Sequence, residues 1–163
     1  HLLYSIITLM AIAMLFPITA FAQAYVQTWD LVDSGKHLDY DGNSTYMSYI
    51  NTGAATWNAY KSGVIRKDSA FVVEDVYVSD VNASNGWAGM TYSSGKIELN
   101  TYYMSGYSNS KKQNVATHEL GHALGLDHST STDVMDAAIT GHTSTQALSQ
   151  NDKDSYDAAY NNY

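Results

Sequence analysis

Residues 118–128 read His-Glu-Leu-Gly-His-Ala-Leu-Gly-Leu-Asp-His, and this stretch leaves the rest of the chain few ways to fold around it. His118 and His122 are one helical turn apart on one face, so their imidazoles can converge on a single metal ion. Glu119, next to the first of them, can reach a water at that ion without becoming a ligand. Gly125 is the residue type that takes a left-handed backbone, which ends the helix and turns the chain so that His128 returns as a third ligand. Three neutral imidazoles leave the fourth tetrahedral position open, the mark of a catalytic zinc as opposed to a closed structural one. The five specified positions coincide by chance on the order of 3 × 10⁻⁷ per window, too rarely to be an accident in one short chain. A solvated surface helix and a closed structural zinc are the competing readings. The second usually completes its ligand set with cysteine, and this chain has none.

Two more residues extend the pattern. Ser129 directly follows the third histidine, and Met135 stands seven residues after His128 in the run Ser-Thr-Asp-Val-Met-Asp. With them the sequence resembles the metzincin zinc metallopeptidases, and within these the matrixin-like branch. Branches that add a zinc-binding tyrosine two residues after the methionine are disfavoured, because Ala137 stands there. The resemblance implies an α+β fold, a metzincin-like zincin with a twisted mixed β-sheet, an active-site helix, a backing helix and a C-terminal helix. It further implies one catalytic Zn²⁺ on His118, His122 and His128, with Glu119 as general base and Met135 as a hydrophobic floor under the imidazoles.

The beginning of the chain speaks to location. The first 22 residues carry no acidic or basic side chain apart from His1, and Ala20-Phe21-Ala22 and Gln23-Ala24 offer small residues for signal-peptidase cleavage after Ala22 or Ala24. Residues 1–22 are therefore read as a secretory signal peptide truncated at its N-terminus, and 23–163 as one peptidase domain. Ser5, Thr8, Thr19 and Pro17 favour cleavage over a retained membrane anchor. A formal net charge of −8 argues against nucleic acid and anionic membranes as partners. The expected product is a secreted, extracellular monomer. With no cysteine, its stability must come from packing and metal, and the 14 tyrosines supply much of the buried area.

Along the chain, 25–32 reads as an entering strand, 37–40 as a second, and Asp39-x-Asp41-Gly42-Asn43 as a solvated turn with a faint calcium-loop look. Tyr46, Ile50, Ala54, Trp57 and Tyr60 recur at helical spacing, with Ser44 as N-cap and Gly63 as stop. Strands are expected over 64–66 and over 71–78, the latter apolar on both faces. The stretches 86–92 and 96–100 read as a hairpin around Ser93-Ser94-Gly95. The resemblance makes the strand that begins at Gly86 and ends at Tyr92 the edge along which a protein or peptide substrate binds in extended form. The motif helix is expected over 113–124, a loop beyond Met135, and a last helix over 151–160 behind a capping box at Ser149 and Asp152.

The chemistry these residues permit is hydrolysis of an internal peptide bond, with Glu119 accepting the proton of the attacking water. Two other readings share the scaffold: a non-catalytic peptide-binding module, and a zinc hydrolase of a non-protein amide. Glu119 separates the first of these, since a binder needs no proton acceptor beside its metal. Calcium is a further candidate ion near Asp75, Asp80 and Asn82, while His37 and His142 are assigned to the surface.

Overall fold

The computed structural model describes residues 23–69 and 73–163. The signal-peptide expectation lies outside the described residues, as do residues 71 and 72 of the strand expected over 71–78. The elements are β1 (Leu38–Gly42), α1 (Met47–Asn58), β2 (Ile65–Lys67), β3 (Val76–Val81), β4 (Gly89–Tyr92), β5 (Lys96–Asn100), α2 (Thr101–Met104), α3 (Asn109–Ala123) and α4 (Gln150–Tyr160). One 3-10 turn, Ile139–Gly141, interrupts the loop expected after Met135. The fold is α+β, with a single five-stranded mixed sheet ordered β2-β1-β3-β5-β4. β1, β2, β3 and β5 run parallel, and β4 closes one edge antiparallel to β5. Among the described residues no helix is long and apolar enough to cross a membrane.

The stripe on α1 explains how the layers join. Tyr46, Ile50, Ala54 and Trp57 are all buried, and the Trp57 indole donates to the Thr117 carbonyl of α3 at 2.9 Å while its ring meets Tyr156 of α4 edge-on. One fully buried tryptophan thus ties three helices, so a polar N–H costs nothing in the core. Tyr60, expected on the same stripe, is instead 36% exposed, because α1 stops at Asn58 and Gly63, at φ 79°, only turns the chain into β2. Ser44 is not the N-cap. Its hydroxyl accepts from the Tyr46 N–H one turn before the helix begins, and Asp80 Oδ2 accepts from the Thr45 N–H.

Several expected strands move. The stretch 25–32 makes a single antiparallel bridge, Val26 to Leu126, because its partner is the irregular chain just after α3 and not a strand. Asp39 to Gly42 are strand, not a solvated turn: Arg66 of β2 forks onto the buried Asp39 carboxylate at 2.8 and 2.6 Å, and a Cβ at Gly42 would overlap the Val78 carbonyl of β3. The strand expected over 71–78 is β3, shifted toward its C-terminal end. Val76 and Val78 are fully buried but Tyr77 is 37% and Val73 83% exposed, so one face is covered and not two. Of 86–92 only Gly89–Tyr92 is strand. Gly86 sits at φ 89° and the Asn100 side chain donates to the Ala83 and Trp87 carbonyls, which holds 83–88 in a loop. α3 starts at Asn109, four residues before the expected position, because Ser108 caps it by accepting from the Lys111 N–H.

Candidate metal centre

α3 carries His118 and Glu119 into the interior, 4% and 5% exposed, and presents His122 half-buried one turn later. The helix then ends in a Schellman turn: the Gly125 N–H reaches the His122 carbonyl at 2.9 Å and the Leu126 N–H the Gly121 carbonyl at 3.0 Å, with Gly125 at φ 88°. The entering segment locks the bend from outside, with the Gln27 N–H on the Gly125 carbonyl and the Gln27 side-chain amide on the His122 carbonyl at 2.6 Å. Three residues beyond the bend, His128 comes back. Its Nε2 lies 3.3 Å from that of His118 and 3.2 Å from that of His122.

These separations test whether a zinc ion fits. Tetrahedral nitrogens at about 2.0–2.1 Å from zinc stand about 3.3–3.4 Å apart, which is the spacing found. The tautomers agree. His118 Nδ1 is 2.8 Å from the Val134 carbonyl and His122 Nδ1 is 2.8 Å from the Leu126 carbonyl, and since a carbonyl only accepts, the protons sit on Nδ1 and the Nε2 lone pairs face the common point. Burial, reinforced by the neighbouring imidazoles, lowers His118 to about 3 and His122 to about 4, so both are neutral near pH 7. The residues present fit zinc.

Met135 is 1% exposed and packs against Gly121, on the helical turn between the two α3 histidines; a Cβ at Gly121 would overlap its sulfur. That methionine segment is fixed by a residue the sequence reading used only as a helix cap. Asp152, 1% exposed, accepts from the Val134 N–H at 2.9 Å, the Met135 N–H at 3.1 Å and the Ser149 N–H at 2.8 Å, joining the N-terminus of α4 to the segment whose Val134 carbonyl orients His118.

Glu119 lies beside the triad. Burial raises its carboxyl to about 7, opposed by a hydrogen bond from the Thr91 hydroxyl at 2.7 Å to Oε2. It opens on a cleft of about 410 Å³ whose walls include Trp29, Trp87, Gly89, Val115 and Ile139. His142 is not a free surface residue: its Nε2 lies 2.8 Å from Asp136 Oδ2, which ties the residue that ends the 3-10 turn back to the methionine segment. His37 is partly exposed, 3.7 Å from Asp33. The calcium candidates find no support. Asp80 accepts from Ser44 and Thr45, Asp75 accepts from the Asp39 N–H, and Asn82 is exposed.

Sheet order, motif helix and converging imidazoles together define a metzincin-like zincin. The matrixin family model, a peptidase family, matches residues 19–161, and the chain belongs to that family. Its members are zinc metallopeptidases, and zinc is the ion expected here. Among solved structures, the fold is similar to archaemetzincin from Methanopyrus kandleri at TM-score 0.56 and 12% identity, covering 80% of this chain and 99% of that one. A hatching-enzyme zinc-protease from the medaka Oryzias latipes, high choriolytic enzyme 1, aligns at TM-score 0.36 and 21% identity over 61% of this chain and 50% of its own. No curated protein sequence matches the chain.

Proposed function

We propose that this protein is a secreted zinc endopeptidase that hydrolyses internal peptide bonds of an extended substrate. The observation that carries the reading is the buried Glu119 carboxylate, set in a cleft beside three converging Nε2 atoms and beneath the free edge of β4. His118, His122 and His128 would hold the zinc, which supplies Lewis acidity and lowers the pKa of water toward ~7. Glu119 takes a proton from the attacking water onto its carboxylate and returns it to the departing amine. Among the described residues β4 pairs with β5 alone, so its other edge has backbone N–H and C=O groups free to pair with substrate as an added strand. The segment 86–88, held in a loop, lines the same cleft and extends that edge without being strand. An edge that binds extended chain favours cleavage within a polypeptide over removal of terminal residues. The largely apolar run 2–15 and the alanines at 20, 22 and 24 support export.

The test is digestion of a peptide library by the purified protein, with products mapped by mass spectrometry. Internal cuts that stop with a chelator and return with zinc are expected. Release of single terminal residues would replace the endopeptidase reading with an exopeptidase one, and intact peptides retained on the protein would point to a binding module.

A further inference from the structure

β4 lines the cleft and also touches Glu119. Residues 89 and 91 are two apart on a strand and share a face. Thr91, 9% exposed, places its hydroxyl 2.7 Å from Glu119 Oε2 and 3.0 Å from the Glu119 backbone carbonyl, so its one proton has acceptors only on that residue. Gly89 leaves the space beside it: an added Cβ would lie 2.6 Å from Glu119 Oε1, 2.7 Å from Cγ and 2.9 Å from Cδ. One oxygen is held by a donor, and the other fills a gap that only glycine provides.

We propose that Gly89 and Thr91 form a seat in the edge strand for the Glu119 carboxylate, with Thr91 a positioning residue for proton transfer. The proposal rests on Glu119 being the general base. A glutamate side chain has three rotatable bonds, and a base must lie within about 2.6–3.2 Å of the proton it takes, so loss of the seat spreads the carboxylate over rotamers of which few are productive. Because the seat belongs to the strand that would bind substrate, the polypeptide's docking edge and its proton acceptor are held in one rigid unit.

The experiment compares Thr91→Val, which keeps the shape and loses the hydroxyl, with Thr91→Ser, which keeps the hydroxyl, in the zinc-loaded full chain. Thr91→Val is expected to lower kcat by about 10–100-fold, the usual cost of losing an outer-shell partner, with KM and zinc affinity unchanged. Thr91→Ser is expected to rescue most of the rate. In crystals of the zinc-free protein, Glu119 should keep one conformer in Thr91→Ser and lose it in Thr91→Val. If Thr91→Val does not fold, Thr91→Ala carries the same expectations. Unchanged kcat with a single Glu119 conformer overturns the proposal, and so does a loss of rate that tracks zinc loss. Glu119→Gln run alongside keeps the two readings apart: if it stays fully active, the general-base assignment fails, whatever Thr91→Val does.

Discussion

Glutamine in place of Glu119 is expected to leave zinc bound and to lower kcat by about 10³-fold, within the range by which positioned acid-base groups accelerate proton transfer. The substitution is nearly isosteric, and its amide oxygen can still accept from Thr91, so the loss reads the proton acceptor and not the packing. The same variant is expected to behave oppositely in stability. Folding raises the Glu119 carboxyl from 4.5 to about 7 by burial, so the native state holds its proton more tightly than the unfolded chain. Its contribution is fully present below pH 4.5 and is lost as pH rises through about 7. Above that pH the buried charge costs the zinc-free protein about 3 kcal/mol, which glutamine avoids. Glu119→Gln should therefore be the more stable form at pH 7.5 in urea unfolding without zinc, and the advantage should vanish by pH 4.5. A wild type as stable as the variant at pH 7.5 would show that the carboxylate is not desolvated.

The second large effect is predicted for Asp152→Ala. Its carboxylate is the shared acceptor for the Ser149, Val134 and Met135 N–H groups, and it is almost wholly buried. Buried donors left without a partner cost about 1–3 kcal/mol each, and partial access to water reduces the sum, so a loss of about 4 kcal/mol is expected, a large fraction of a domain's stability. The centre should feel it. The Val134 carbonyl that orients His118 belongs to the freed segment, and zinc affinity should fall by about 10–100-fold. Asp152→Asn, which keeps an acceptor oxygen, should lose less on both counts. An Asp152→Ala protein with wild-type urea midpoint and zinc affinity would mean that the methionine segment is held by something other than α4.

What the sequence disclosed follows the range over which its signals act. His118 and His122 share a face by helical periodicity, and the return of His128 needs only a left-handed residue at Gly125, so that geometry is written within eleven consecutive residues. The capping box at Ser149 and Asp152 is equally local. Asp152 reaching back to Val134, and Thr91 reaching forward to Glu119, join residues 18 and 28 positions apart, and no periodicity marks such pairs. Apolar runs misled where register decides: residues around Val73 are β-rich in composition, yet the ladder begins at Val76, where β1 and β5 supply partners. Two further signals are local and legible in the residues themselves. Ser108 has the chemistry of an N-cap, and Gly86 marked a turn where a strand was expected.

The central claim is that His118, His122 and His128 share one zinc ion, and titration of the zinc-free protein with zinc, followed by X-ray absorption at the zinc edge, tests it most directly. The account predicts one ion per chain with three imidazole nitrogens at about 2.0–2.1 Å, and loss of one of the three in each single histidine-to-alanine variant. A bound zinc with a nitrogen count unchanged in His128→Ala would contradict it.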